Sequence, residues 1–248
     1  MRLLACFATF LSVAALACSH GDDVYIETDS TQSKLGCSLE PGEDICARDW
    51  SDVAADKRAE QQAYLDAVTS FAGEAQELRA EVADACREIL TKLGIEAPAP
   101  PPTTTPEQSP CDLAAASIKA RRKTSWTVES RPGSCSRLAT PACLASAAPR
   151  VKCEAHVVTL APAEAASADE RAAAVAVASS FGRVLSVKAR LELLTESAAR
   201  IATLGTVGVE LPQCLVPEMS ARVSAATEDV RAATTHGGAL ASSVSSPP

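Results

Sequence analysis

The sequence predicts a mainly α fold, an antiparallel bundle of long amphipathic helices with a small disulfide-rich β or irregular segment. Apolar residues recur at steps of three and four in three long stretches, which is the spacing of one helix face. Hydrophobic residues make up 47% of the chain but aromatic residues only 3%, so Ala, Val and Leu must fill the core. Such a core suits close-packed helices better than strands. Three cysteines crowd residues 135–153, where a cross-linked segment is expected.

Residues 1–17 are predicted to be a signal peptide. Arg2 precedes fifteen mostly apolar residues, LLACFATFLSVAALA, a run shorter than the roughly 20 residues of a membrane-spanning helix. Ala15 and Ala17 form the small-residue pattern of a cleavage site. We therefore expect the chain to be exported.

Cys18 follows this site and is the predicted lipidation site. The stretch resembles a bacterial lipobox, although Leu16 lies one position nearer to the cysteine than the usual pattern requires. Without Cys6 of the signal peptide, nine of the ten cysteines remain, whereas lipid on Cys18 leaves eight that can pair completely. With Ser19 next, this resemblance implies an outer membrane lipoprotein, facing the periplasm or the surface, with 18–46 as a polar tether. A secreted soluble protein is the alternative.

The other cysteines are predicted to form disulfides, because exported chains are oxidised. No C-x-x-C occurs and the cysteine spacings do not repeat, so we expect no metal site and no other cofactor. Eight cysteines allow 105 connectivities. Proximity in the chain favours Cys37 with Cys46 and Cys86 with Cys111. The eight candidates are Cys37, Cys46, Cys86, Cys111, Cys135, Cys143, Cys153 and Cys214.

The stretch 47–96 predicts a long helix. Ser51 is a plausible N-cap, and Gly94 follows the last periodic residue as a C-cap does, although Gly73 weakens the helix from inside. The buried stripe is Val68, Phe71, Ala75, Leu78, Val82, Ala85 and Ile89. The opposite face, expected to be solvated, carries Glu74, Glu77, Glu81 and Glu88.

Residues 97–110, APAPPPTTTPEQSP, contain six prolines and predict an extended, semi-rigid linker. A short helix then begins after Ser109 as N-cap, with Pro110 in its first turn, and runs to about Lys123. Its expected buried residues are Ala115 and Ile118.

The rest of 111–160 predicts a small cysteine-rich β or irregular segment. TSWTV and VKCEAHVV alternate as strands do, and Pro132-Gly133 marks a turn.

Two more bundle helices are predicted within 161–237. Ser167 and Glu170 form a capping-box pattern at the start of the first, and Pro212 introduces the second. Gly237-Gly238 is expected to stop the second helix and leave 238–248 as a disordered tail. The stripe of the first is Val175, Ala178, Phe181, Leu185, Leu191, Leu194, Ala198 and Ile201, ending at Gly205. The stripe of the second is Val216, Met219, Val223, Ala226, Val230 and Ala233.

Charge is distributed unevenly along the chain. Residues 18–96 carry eighteen acids and seven bases, a net −11, and residues 111–160 carry three acids and eight bases, a net +5. The middle could bind anions, but we favour packing of the two parts against each other, or plain solvation. No nucleic-acid binding is expected, since Trp126 is the lone aromatic beside the basic cluster of Lys119, Arg121, Arg122 and Lys123.

The chain lacks the common catalytic motifs. G-x-S-x-G, the P-loop, G-x-G-x-x-G and H-E-x-x-H are all absent. The three histidines, His20, His156 and His236, are too few and too scattered for a convincing catalytic site. We expect the protein not to be an enzyme.

Several segments in order resemble a known group. They are ADACREILTKLG, CDLAAASIKARRK, TVES, FGRVLSVKARLELLTESAARI and LPQCLVPEMSARVSAA. The chain resembles uncharacterised, cysteine-bearing cell-envelope lipoproteins of Gram-negative bacteria, with a shorter cysteine-rich middle at 135–153. The resemblance implies location and architecture and no activity.

The expected function is therefore that of a non-enzymatic, lipid-anchored envelope protein acting as a structural or protein-interaction scaffold. Its expected partners are the membrane, through the lipid, and another envelope protein. One alternative is a binding module for a small apolar ligand between Ala-rich helices. The other is a hydrolase with an unrecognised site.

Overall fold

The structure, a computed structural model, describes residues 35–96, 109–137, 143, 151–206 and 211–245. It confirms the predicted fold class, mainly helical with a small β part. The signal peptide, Cys18, the first part of the tether and residues 97–108 of the linker lie outside the described residues. The helices are α1 (Ala55–Lys92), α2 (Pro110–Arg121), α3 (Ala168–Thr206) and α4 (Leu215–Ser245). The strands are β1 (Trp126–Arg131), β2 (Cys135–Arg137), β3 (Val151–Cys153) and β4 (Val157–Pro162).

Helix α1 is the centre of the bundle, with α3 and α4 packed along it and little contact between α3 and α4. Helix α3 runs antiparallel to α1, because Arg183 pairs with Glu88 while Arg190, further along α3, pairs with the earlier Glu81. Helix α4 runs in the same direction as α1. Its first residue, Leu215, is buried in a cluster with Leu65, near the start of α1.

The two ends of α1 differ in how well the sequence predicted them. The helix begins at Ala55 and not after Ser51, whose backbone N–H instead donates to the Asp49 carboxylate at 2.9 Å. Its C-terminus is the predicted one, with Gly94 at φ +70° and the Ile95 N–H donating to the Leu90 carbonyl at 2.9 Å. This is the left-handed cap that glycine favours.

Residues 35–54, here called the N-terminal strap, fold against the first half of α1. Residues 35–46 of the predicted polar tether therefore belong to the folded body, since the strap contributes apolar side chains to the core. Gly42 donates its N–H to the Thr69 carbonyl at 2.8 Å. The approach requires Gly73, because a Cβ at that position would lie 2.9 Å from the Gly42 nitrogen. The buried residues of the strap are Leu35, Leu39, Ile45 and Trp50.

Helix α2 begins as the sequence predicted. The Ser109 hydroxyl accepts from the Cys111 N–H at 3.2 Å, and Pro110 is the first helical residue. Ala115 and Ile118 are buried as expected, and the helix ends at Arg121. It packs on both α1 and α4.

The strands form two antiparallel pairs, β1 with β4 and β2 with β3. The two pairs follow one another along a single ribbon that is interrupted between them. Pro132-Gly133 lies at this interruption, between β1 and β2, and does not connect two paired strands as a hairpin turn would. The ribbon rests on α3 where the His156 N–H donates to the Gly182 carbonyl at 3.2 Å. Gly182 is required there, because a Cβ at that position would overlap the His156 carbonyl.

The predicted stop of α4 is wrong. The helix continues through Gly237-Gly238 to Ser245, and both Leu240 and Val244 are fully buried in the main core. Two helical glycines cost about 2 kcal/mol relative to alanine, whereas burying Leu and Val returns roughly 3 to 6 kcal/mol. Residues 238–245 of the predicted disordered tail therefore belong to the folded body.

Two residues of the predicted stripes lie on the outside. Val175 of α3 is 72% exposed and Val216 of α4 is 52% exposed. Residues 172–178, AAAVAVA, are apolar on every side, so the spacing could not select the buried face. The buried hydrophobic residues of α3 include Ala173, Ala174, Val177, Phe181, Val184, Val187, Leu193, Leu194 and Leu204.

We expect a chain ending at Gly238 to be roughly 3 to 6 kcal/mol less stable than the full chain, because Leu240 and Val244 leave the core. The measurement is the denaturant midpoint of the oxidised protein. A chain ending at Ser245 is the control and should match the full chain. Equal midpoints for all three chains would contradict burial of the last two turns of α4.

Two glycine substitutions should change stability in opposite directions. Gly182→Ala should destabilise by roughly 1 to 3 kcal/mol, since the ribbon must move away from α3. Gly238→Ala should stabilise by up to about 1 kcal/mol, because nothing lies within 4 Å of its added Cβ. Thermal unfolding of both variants tests this, and a stabilised Gly182→Ala would show that the ribbon does not pack there.

Candidate interaction groove

The eight cysteines after Cys18 are all disulfide-bonded, which fits an exported protein. Cys86 and Cys111 form the local pair that proximity suggested, but the predicted pair Cys37–Cys46 is wrong. The Cα atoms of Cys37 and Cys214 lie 5.3 Å apart across 177 residues of chain. The predicted pair does not form because Cys37 lies next to Cys214, before α4, whereas Cys46 lies next to Cys143. The bonds are Cys37–Cys214, Cys46–Cys143, Cys86–Cys111 and Cys135–Cys153.

The four bonds differ in exposure. Cys86 and Cys111 are fully buried between α1 and α2. Each of the other three bonds has at least one exposed cysteine. Two of these surface bonds fasten the strap, one to the start of α4 and one to Cys143.

An open groove of about 770 Å³ lies between α1 and α4, beside the strap. It is the candidate functional site, because its walls come from three separate parts of the chain. Alanine side chains line it, namely Ala72, Ala80, Ala83, Ala225 and Ala226. Charged side chains surround them, namely Glu40, Arg79, Asp84, Arg87, Arg222 and Asp229.

The charges of the groove are balanced in pairs. Arg79 of α1 reaches Asp229 of α4 at 2.6 Å, and Arg87 reaches Asp84 at 2.6 Å. Arg222 lies 2.8 Å from Glu218, in the preceding turn of α4. Exposed pairs of this kind add little stability. A rim with both signs favours neither a free anion nor a free cation.

Helix α2 shows what can pack beside this groove. It lies on α1 and α4 towards their C-terminal ends, and the groove extends along the preceding turns of the same two helices. Two of its four buried residues are alanines, Ala114 and Ala115, beside Cys111 and Ile118. The alanines of the groove offer a similar surface to a second helix.

The glutamates of α1 that were expected to be solvated form a contact with α3. Arg190 donates to Glu74 at 2.9 Å, to Glu77 at 2.8 Å and to Glu81 at 2.6 Å. Burial would lower the pKa of Arg190, but the carboxylates outweigh burial and raise it. Glu88 pairs with Arg183.

The acidic part of the chain packs against the middle through α1 and α2, as expected, but these α1 glutamates form their ion pairs with α3. Arg183 and Arg190 are the two bases of α3 in these pairs. Two bases of the middle bind carbonyls, with Arg121 donating to Leu93 at 2.8 Å and Arg122 to Val244.

Glu170 fastens the start of α3 to the turn between α2 and β1. Its Oε1 accepts from the Lys123 N–H at 3.0 Å, the Thr124 N–H and hydroxyl at 2.8 Å each, and the Trp126 indole N–H at 3.0 Å. Ser167 caps its backbone N–H at 3.2 Å, as predicted. Trp126 is thus packed in the core. The role of Glu170 could not be predicted from the sequence, because its partners lie more than 40 residues away.

The pKa of Glu170 follows from this arrangement. Burial alone would raise it, but the hydrogen bonds from Thr124, Trp126 and Lys123 outweigh burial and lower it to about 2. The ionised form is thus the one that the folded protein stabilises.

No catalytic constellation forms in the described part of the chain. The Nδ1 atom of His236 lies 3.8 Å from Asp112, too far for a hydrogen bond. His156 lies in the break of the ribbon. Over the described ranges, no group of His, Cys, Asp and Glu could hold a metal ion, and no helix is long and apolar enough to cross a membrane.

The stability of the protein should fall with pH as Glu170 is protonated. Because its folded pKa lies below the ordinary value of 4.5, its stabilising effect is complete above that value and is lost as pH falls towards 2. Glu170→Gln should therefore be less stable at pH 7 and lose less stability between pH 5 and 2. Denaturation midpoints across this range test it, and equal slopes for both proteins would contradict it.

Comparison of the chain with protein-family models, with curated proteins and with solved structures finds no match. What the groove and the disulfides indicate about function therefore depends on their own chemistry.

Proposed function

We propose that this protein is a non-enzymatic, lipid-anchored scaffold of the cell envelope that binds another envelope protein. The supporting observation is the disulfide pairing. Every cysteine after Cys18 has a partner in the chain, so Cys18 of the exported protein is left over and available for lipid. Acylation at this position anchors the mature protein in the outer membrane, as the resemblance to envelope lipoproteins implies.

The groove between α1 and α4 is the proposed contact with the partner. Its occupant is a helix of the other protein with small side chains on the contact face and charges of both signs at the edges. The alanine lining permits close approach of a helix axis, as α2 shows on the same two helices. The paired charges of the rim provide polar contacts around that centre.

The two alternatives have weaker support. A site for a small apolar ligand is typically concave and mostly apolar, whereas this groove is open and surrounded by charges. A hydrolase that works through acid–base carboxylates needs them poised for proton transfer. Among the carboxylates described, Glu170 has the largest pKa shift, and its hydrogen bonds serve to hold the fold together.

The lipid anchor is tested by the intact mass of the protein purified from membranes of a Gram-negative host. We expect a chain beginning at Cys18, heavier by its acyl groups and gaining eight hydrogens on reduction. The Cys18→Ser variant should leave the membrane fraction and keep four disulfides. An unmodified protein in the soluble fractions would overturn the anchor and favour the secreted alternative.

The groove is tested with a photo-crosslinking residue at position 80, in the envelope of cells that produce the protein. We expect one discrete protein adduct that disappears when Ala225→Arg is added on the opposite wall. Position 172, exposed on the outer face of α3, is the control and should give no such adduct. An adduct that persists with the arginine, or forms equally at position 172, would contradict the groove as the contact.

A further inference from the structure

The cysteines do not pair in the order in which they occur along the chain. The first of the eight, Cys37, bonds to the last, Cys214. The second, Cys46, bonds to Cys143, which itself lies within the loop closed by Cys135 and Cys153. Only the Cys86–Cys111 bond joins two cysteines that are neighbours in this order.

The unfolded chain favours a different first bond. Cys37 and Cys46 are nine positions apart in the sequence, whereas Cys37 and Cys214 are 177 positions apart and Cys46 and Cys143 are 97. Because the probability of loop closure falls as the three-halves power of length, Cys37 meets Cys46 roughly 90-fold more often than Cys214. Cys46 meets Cys37 roughly 35-fold more often than Cys143.

Export would strengthen this preference. A chain that emerges from its N-terminus presents Cys37 and Cys46 together before Cys143 and Cys214 are available. An oxidant that acts on the first two thiols it meets therefore makes the Cys37–Cys46 bond. That bond deprives both native long-range bonds of one cysteine, so the strap cannot be fastened correctly until it is broken.

We infer that this protein is a client of a thiol–disulfide isomerase, an enzyme that attacks disulfides with a cysteine thiolate. That this protein and the isomerase meet outside the cytoplasm rests on the proposed export. The isomerase thiolate attacks the Sγ of Cys46, forms a mixed disulfide and releases Cys37 as a thiolate. The Cys143 thiolate then attacks the same Sγ, forms Cys46–Cys143 and releases the isomerase thiolate, with no net oxidation or reduction.

One oxidation then completes the pairing. Cys37 and Cys214 lose two electrons and two protons to a disulfide-containing oxidase, which becomes a dithiol. The exposure of the native bonds fits this sequence of events. Cys37, Cys214 and Cys143 are exposed, so exchange at the strap remains accessible late in folding, whereas the Cys86–Cys111 bond is fully buried.

Oxidative refolding of the mature chain with Cys18→Ser tests the inference without membranes or lipid. The reduced protein is refolded in a buffer of reduced and oxidised glutathione, without or with protein disulfide isomerase as the probe, and bonds are trapped by alkylation and mapped. We expect Cys37–Cys46 among the earliest bonds, and several-fold faster recovery of the four native bonds with the isomerase. Absence of that bond, or equal recovery without the enzyme, would overturn the inference.

A matched pair of double variants sharpens the test. Replacing Cys46 and Cys143 with alanine leaves Cys86 as the nearest competitor for Cys37. In the unfolded chain Cys37 then meets this competitor about 7-fold more often than Cys214, instead of about 90-fold. This variant should depend much less on the isomerase. Removing Cys135 and Cys153 leaves the mispairing intact and should keep the dependence. The disulfide map gives the result even where a variant folds poorly, and equal dependence of both variants would contradict the inference.

The outcome is separable from the anchor. If Cys18 proves unmodified but refolding needs the isomerase, only the proposed anchor fails. If the protein is acylated and recovers its native bonds equally fast without the isomerase, only the present inference fails.

Discussion

The packing of α1 against several neighbours at once is the constraint on which the rest of the structure depends. Helices α2, α3 and α4 and the strap all contact it, so nearly every side of this helix faces protein over part of its length. With few aromatic residues available, the helices must come close together, and buried alanines such as Ala67, Ala75 and Ala85 permit this. Close approach also partly buries polar groups at the helix contacts, such as Arg190, which donates to three glutamates of α1.

The features that the sequence predicted are those decided within a few residues of chain. The Ser109 and Ser167 caps and the Gly94 cap each depend on one turn of backbone, and each formed as expected. The Cys86–Cys111 bond joins the last part of one helix to the start of the next, so closeness in the chain was enough to predict it. The helical class follows similarly from spacing, because three long periodic stretches have few other ways to bury their apolar faces.

The features that the sequence did not predict depend on contacts between distant segments. From the sequence, Gly237-Gly238 is an ordinary helix stop. The helix continues past it because Leu240 and Val244 are buried in the core. The glutamates of α1 are an ordinary solvated face until Arg190 of α3 lies opposite. The groove was missed for the same reason, since its α1 and α4 walls lie about 150 residues apart in the sequence, as the Arg79–Asp229 pair shows. The position of the strap beside the groove likewise depends on the tertiary structure and could not be predicted from the sequence.

The Cys37–Cys214 bond has a mechanical consequence. A pull on the chain ahead of Leu35 reaches Cys37 within two residues, and from there a covalent bond leads into the start of α4. Apart from the contacts of Leu35, the hydrogen bonds and apolar contacts of the strap lie beyond that branch point and carry little of the load. A protein suspended from its N-terminus would thus pass tension directly to its C-terminal helix, and the strap could not peel away one contact at a time.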